Sequence, residues 1–216
     1  MVAHNGRLSD GSPPISTIEM KPMSGQLFDH DGQRKYLTAD EREAFLKAAE
    51  RAPREVRTLC GVLAFTGCRI SEALALTADR VDLAGRLIVF ESLKKRRKGV
   101  YRGVPAPPAL LDALDLVHNI RQLQQARGGG RNARLWSMSR PTAWRQVKAI
   151  MDAAGIGSGP QASPKGLRHG FGVAAVSAGI PLNMVQKWLG HAQLSTTAIY
   201  AAAVGDEEHH IASRMW

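Results

Sequence analysis

The stretch from Ser163 to Tyr200, SPKGLRHGFGVAAVSAGIPLNMVQKWLGHAQLSTTAIY, constrains the chain more than any other. Ser163-Pro164 combines a capping hydroxyl with a first-turn proline, so a helix starts there; Gly179 stops it, Pro181 opens another and Gly190 ends that one. This punctuation sets Lys165 and Arg168 early in the first helix, His191 just past the second, and Tyr200 in a short apolar-polar run. Cations, an imidazole and a phenol gathered by two short helices are the parts of a phosphoryl-transfer site.

The rest of the chain reads as support for that segment. Residues 1–35 are rich in Gly, Ser, Pro and Asp without periodicity, which predicts a flexible arm. Thr38-Ala39-Asp40-Glu41 is a capping-box pattern that opens a helix to about Arg51. Val56, Leu59, Cys60 and Leu63 recur at helical spacing up to a stop at Thr66-Gly67, after which Arg69 begins a short helix carrying Glu72. The period then changes to two: Leu87–Phe90 and Val100–Val104 predict a hairpin around Lys94-Lys95-Arg96-Arg97-Lys98-Gly99. Pro107-Pro108 starts a helix expected to reach about Arg127, and Pro141–Ala154 predicts another with Trp144, Val147 and Ile150 inward and Arg140, Arg145 and Lys148 outward. The expected fold is mainly α with one small antiparallel β-hairpin or sheet, an α+β domain over residues 36–203, followed by a tail, 204–216, ending in Met215-Trp216.

Charge narrows the partner. With 29 Lys+Arg against 19 Asp+Glu the chain carries a formal +10, and the dense field of nucleic-acid phosphates is the natural counterpart, because basic groups there release condensed counterions. A hydrophobic content of 44% supports a packed core. The two cysteines, Cys60 and Cys68, are too few for a disulfide framework and lack the spacing of a zinc site, which fits a reducing cytoplasm. No apolar run is long enough to span a bilayer, so no membrane partner is expected. Glu207-Glu208-His209-His210 offers metal-ligand types, but nothing nearby completes a site and a solvated helix end is the expectation.

A phosphodiester attacked by an oxygen passes through a five-coordinate arrangement whose non-bridging oxygens carry the charge, so fixed positive donors are needed there. Arginine forks suit those oxygens, and Arg69 and Arg168 both fall at helix starts. A phenol is a better leaving group than an aliphatic alcohol, which makes Tyr200 a nucleophile that a DNA hydroxyl can later displace. The departing 5′ oxygen needs a proton, for which Lys94, or Lys95 in reserve, is the candidate. Lys95, Arg96, Arg97 and Lys98, with Arg102, Arg140 and Arg145, are the expected DNA-backbone contacts. No cofactor is required, in keeping with the lack of Walker, HExxH or clustered-carboxylate patterns.

Thr66-Gly67-Cys68-Arg69-Ile70-Ser71-Glu72, Leu167-Arg168-His169, Leu189-Gly190-His191 and Tyr200, in that order, resemble the catalytic domain of tyrosine recombinases, the phage-integrase family. The resemblance runs from about Leu37 to Tyr200. It implies that Arg69 and Arg168 clamp the scissile phosphate, Lys94 is the general acid, His191 bonds the phosphate and Tyr200 attacks it, while Glu72 and His169 are structural. One departure is Lys165, where the family usually has a histidine; a lysine keeps a positive donor but is a poor base. A second is that the residues before Thr38 are too few to bury a core, so the chain resembles short, single-domain members lacking the N-terminal core-binding domain. The implied function is site-specific DNA cleavage and rejoining through a 3′-phosphotyrosine. The implied partners are double-stranded DNA, further copies of the chain in a tetramer, host DNA-bending proteins and a nucleoid location. A non-catalytic DNA-binding accessory factor and a topoisomerase of the same chemistry are the alternatives.

Overall fold

The computed structural model describes residues 27–92, 99–126 and 129–201. Their chain order is α1 (Ala39–Ala49), α2 (Arg54–Thr66), α3 (Ile70–Leu74), β1 (Val81–Asp82), β2 (Leu87–Glu91), β3 (Tyr101–Pro105), α4 (Pro108–His118), α5 (Ile120–Gln125), α6 (Arg140–Ala153), α7 (Pro164–Ser177), α8 (Leu182–Leu189) and α9 (Ser195–Ala198). The mainly helical expectation with a small antiparallel sheet is met, and the hairpin gains a short third strand in the order β1-β2-β3.

The capping box at α1 forms as expected: Glu41 N donates to Thr38 Oγ1 at 3.2 Å and Thr38 N donates to Glu41 Oε2 at 2.9 Å. Glu41 also takes Arg34 Nη2 at 2.8 Å, which ties down the preceding segment. There the expectation of a flexible arm over residues 1–35 is corrected for its last part. Leu27 is only 3% exposed, Lys35 N donates to Leu27 O at 2.7 Å, and Phe28 bridges to Arg34. An isolated apolar pair carries no periodic signal, so only tertiary contact decides its order. The remainder of the arm, residues 1–26, and the tail from 202 lie outside the described residues.

Helix α2 is the centre of the domain, buried along most of its length and packed by α1, α4, α6 and α7. It ends at Gly67 with φ 60°, where a Cβ would stand 2.5 Å from the Phe171 ring and 2.9 Å from Leu189, so glycine is needed both for the left-handed turn and for the approach of α7 and α8. On the sheet, Phe90 pairs with Arg102 and Ile88 with Val104, and these four side chains make the inward face. The helix expected to run from Pro108 to about Arg127 breaks at Asn119, whose φ of 53° closes α4 and turns the chain into α5. Asparagine tolerates that conformation better than most residues. A second correction concerns α6: its inward residues are Ala143, Val147, Ile150 and Met151, whereas Trp144 is 45% exposed.

Candidate active site

Six separate segments converge on one cleft of about 1080 Å³ lined by Lys35, Arg69, Ser92, Arg140, Trp144, Lys165, Arg168, His169, His191 and Tyr200, among others. Arg69 is the N-cap of α3, and Glu72 one turn on holds it twice: Oε2 accepts the Arg69 backbone N–H at 2.8 Å and Oε1 accepts Nη1 at 2.8 Å. The guanidinium is thereby aimed while part of it stays free for an anion.

Arg168, in the second turn of α7, is buried and anchored by Nη1 to Gly67 O at 2.8 Å and by Nη2 to Leu189 O at 2.7 Å. Those carbonyls close α2 and α8, so the cation sits at the negative ends of two helix dipoles. Burial and the nearby Arg69 push it down to about 10, which leaves it charged at neutral pH.

His191 follows the end of α8, with Nδ1 3.0 Å from the hydroxyl of buried Thr197. When that hydroxyl donates, the ring proton rests on Nε2, available to a phosphate oxygen. Burial, then Arg168 and Arg69, push His191 down to about 3, so its ring is neutral near pH 7. The Tyr200 ring lies nearly parallel to it at 6.3 Å and packs among Leu27, Ala175, Val185 and Leu189, leaving the residue 0% exposed. Burial raises the phenol's pKa, opposed by the charges of Arg168 and Arg69. The hydroxyl lies 3.1 Å from His169 Nδ1.

Arg69, Lys165, Arg168, His191 and Tyr200 thus share one cleft, with exposed Arg140 on its edge. Arg145 is exposed on α6 away from the lining, and Lys94, Lys95, Arg96, Arg97 and Lys98 lie outside the described residues, as does Glu207–His210.

Arg102 is a correction. It was expected on the DNA but is only 8% exposed: Nη2 bonds Glu72 Oε2 at 2.6 Å, Nη1 bonds Oε1 at 3.3 Å and Nε donates to Trp188 O at 2.7 Å. The same side chain therefore braces the carboxylate that aims Arg69 and the helix end that carries His191. Glu72 stays ionised there: burial alone would raise its pKa, but the Arg102 hydrogen bonds and charge outweigh it and the net shift is downward. Strand alternation held the clue, since Arg102 shares a face with Val104, yet the adjoining run of cations suggested solvent. His169, Trp144 and Lys35 were missed as cleft residues; His169 follows Arg168 directly, but no spacing rule announces a contact to Tyr200.

Among the described residues no helix is long and apolar enough to cross a membrane and no group of His, Cys, Asp or Glu is placed to hold a metal ion.

The cleft gathers two anchored arginines, a neutral histidine and a tyrosine, and residues 35–206 match the family model of the Phage integrase family, to which this chain belongs. The tyrosine recombinase XerD of Mycobacterium leprae is 36% identical over 181 residues, 77% of this chain and 56% of that protein, so the chain spans about half the length of the curated relatives it matches. Among solved structures, XerA recombinase superposes with a TM-score of 0.67 at 25% identity, over 83% of this chain and 64% of that one. The XerH site-specific recombinase bound to its difH substrate shares the fold, with a TM-score of 0.65 at 23% identity over 80% and 55%.

Proposed function

We propose that this chain is a tyrosine-type site-specific recombinase acting on double-stranded DNA, with residues 36–203 as its catalytic domain. The observation that carries the reading is the convergence of Arg69, Arg168, His191 and Tyr200 on one cleft. Tyr200 Oη attacks the scissile phosphorus, the Oη–P bond forms as the P–O5′ bond breaks, and the DNA 3′ end is left as a phosphotyrosine. The released 5′ hydroxyl takes its proton from a hairpin lysine, Lys94 or Lys95. Arg69, Arg168 and the His191 Nε2–H donate to the non-bridging oxygens, where charge grows during the attack. Because the phosphotyrosine keeps the bond energy, attack by a 5′ hydroxyl of another strand rejoins the DNA without nucleotide or water. Exchange between two duplexes cuts four strands and calls for four protomers, with DNA-bending proteins as accessory partners.

The reading is tested on a supercoiled plasmid bearing two copies of a duplex site that the protein selects from a random-sequence pool by repeated binding. The wild-type chain resolves or inverts the intervening DNA, and Tyr200→Phe binds the site but does neither. Relaxation of a plasmid without the site would instead mark a topoisomerase, and site binding with no strand exchange or nicking would mark an accessory factor.

A further inference from the structure

Lys165 stands where a base would be expected, but it lies exposed at the first turn of α7, with no contact to the Tyr200 hydroxyl. A different residue touches the reacting atom. His169, one turn further along α7, places Nδ1 3.1 Å from Tyr200 Oη, within the reach required of a proton acceptor. We propose that His169 is a catalytic residue that takes the Tyr200 phenol proton during cleavage and returns it during rejoining; the assignment rests on the recombinase reading above.

The step balances. As the Tyr200 Oη–P bond forms and the P–O5′ bond breaks, the phenol proton moves to Nδ1, and the departing O5′ receives a proton from the general acid. In the reverse direction the imidazolium returns its proton to the phenol oxygen as the 5′ hydroxyl displaces it. The acceptor role needs the tautomer with the proton on Nε2, which leaves the Nδ1 lone pair toward the hydroxyl. His169 meets that need as a neutral ring: burial, then the charges of Lys165, Arg168 and Lys35, push it down to about 4. These same cations, with His191 across the cleft, are the charged and titratable groups facing it. A scissile phosphate would add a negative charge beside them and raise the basicity of the ring at the moment it must accept a proton. The geometry is also stiff. The tyrosine is wholly buried and the two rings lie 5.9 Å apart at 56°, so packing fixes the tyrosine side of the contact.

The test is the single-turnover rate of covalent adduct formation on a nicked duplex carrying the selected site, measured from pH 6 to pH 9. His169→Gln keeps a hydrogen-bonding group but cannot accept the proton, and its rate at pH 7 should fall by about 10²-fold. Because the phenol must then ionise first, the deficit should narrow by up to about tenfold per pH unit as pH rises toward the phenol's range. His169→Ala serves beside it, each variant being checked for folding by thermal melting. A loss that stays parallel to wild type across the pH range, or no loss, overturns the assignment and leaves the recombinase reading intact. A wild-type chain that forms no Tyr200 adduct removes both.

Discussion

Gly172 lies on α7 directly under the ring of Tyr200, the proposed nucleophile, so Gly172→Ala is a test of how tightly that ring is placed. A Cβ at Gly172 would stand 2.5 Å from Cζ, 2.6 Å from Cε2 and 2.7 Å from Cε1 of the Tyr200 ring. Carbon atoms rest at about 3.5–4.0 Å, so the ring must move by about 1 Å. Leu27, Ala175, Val185 and Leu189 pack in the same cluster as the ring, so the displacement is directed toward the cleft that Tyr200 lines. Such overpacking costs about 1–3 kcal/mol. Replacing a helical glycine by alanine returns about 1 kcal/mol, so the net loss is about 0–2 kcal/mol. For a chain of this size that lowers Tm by at most about 8 °C, and the protein stays folded. Catalysis is more sensitive, since a displacement of about 1 Å in a reacting group can cost about 10²-fold. The expected result is adduct formation slowed by about 10²-fold on the nicked duplex, while the Kd for the intact site changes by less than about threefold. An adduct rate within about threefold of wild type in a folded variant would refute the claim that ring position is set by contact with α7.

Three further outcomes follow from the same geometry. Arg102→Ala removes one of the two cations on the buried Glu72 carboxylate and leaves it to Arg69 alone, which should cost at most about 3–5 kcal/mol of stability by denaturant unfolding; its salt slope of DNA binding should stay at the wild-type value, since about 0.9 is lost only per phosphate contact removed. Arg168→Ala should slow adduct formation by about 10²–10³-fold in single-turnover assays, the loss expected for one transition-state donor. Acid should destabilise the fold through His169 and His191: their folded values of about 4 and about 3 lie below the ordinary histidine value, so the unfolded chain binds more protons. The unfolding midpoint should therefore hold above about pH 6.5 and fall from there toward pH 4, with a shallower fall in His169→Gln.

The residues that line the proposed site were the legible part of the sequence. Arg69, Arg168, His191 and Tyr200 sit beside helix starts and stops, and such punctuation is local: Gly67, Ser163 and Gly190 announce it without any knowledge of the fold. What was not legible depends on long-range contact. Leu27 is ordered because Tyr36, Tyr200 and the α7–α8 face give it a cavity to fill, which no window of sequence around it records. Arg102 reads as one more cation in a basic stretch until Glu72, thirty positions away, is seen to neutralise it. Trp144 is the reverse case: its aromatic character argued for the core, whereas the helix turns Ala143 inward and leaves the indole on the cleft. His169 shows the same limit at the site itself, since its partner Tyr200 lies on a separate segment.

The most direct measurement is the identity of the covalent bond. After incubation with a nicked duplex from which the short 5′-hydroxyl fragment diffuses away, the protein–DNA adduct is digested with protease and nuclease and the cross-linked peptide sequenced by mass spectrometry. The predicted result is a nucleotide 3′-phosphate on Tyr200 in the wild-type chain and no adduct with Tyr200→Phe. An adduct through a 5′ phosphate, on a residue other than Tyr200, or surviving in Tyr200→Phe would contradict the account.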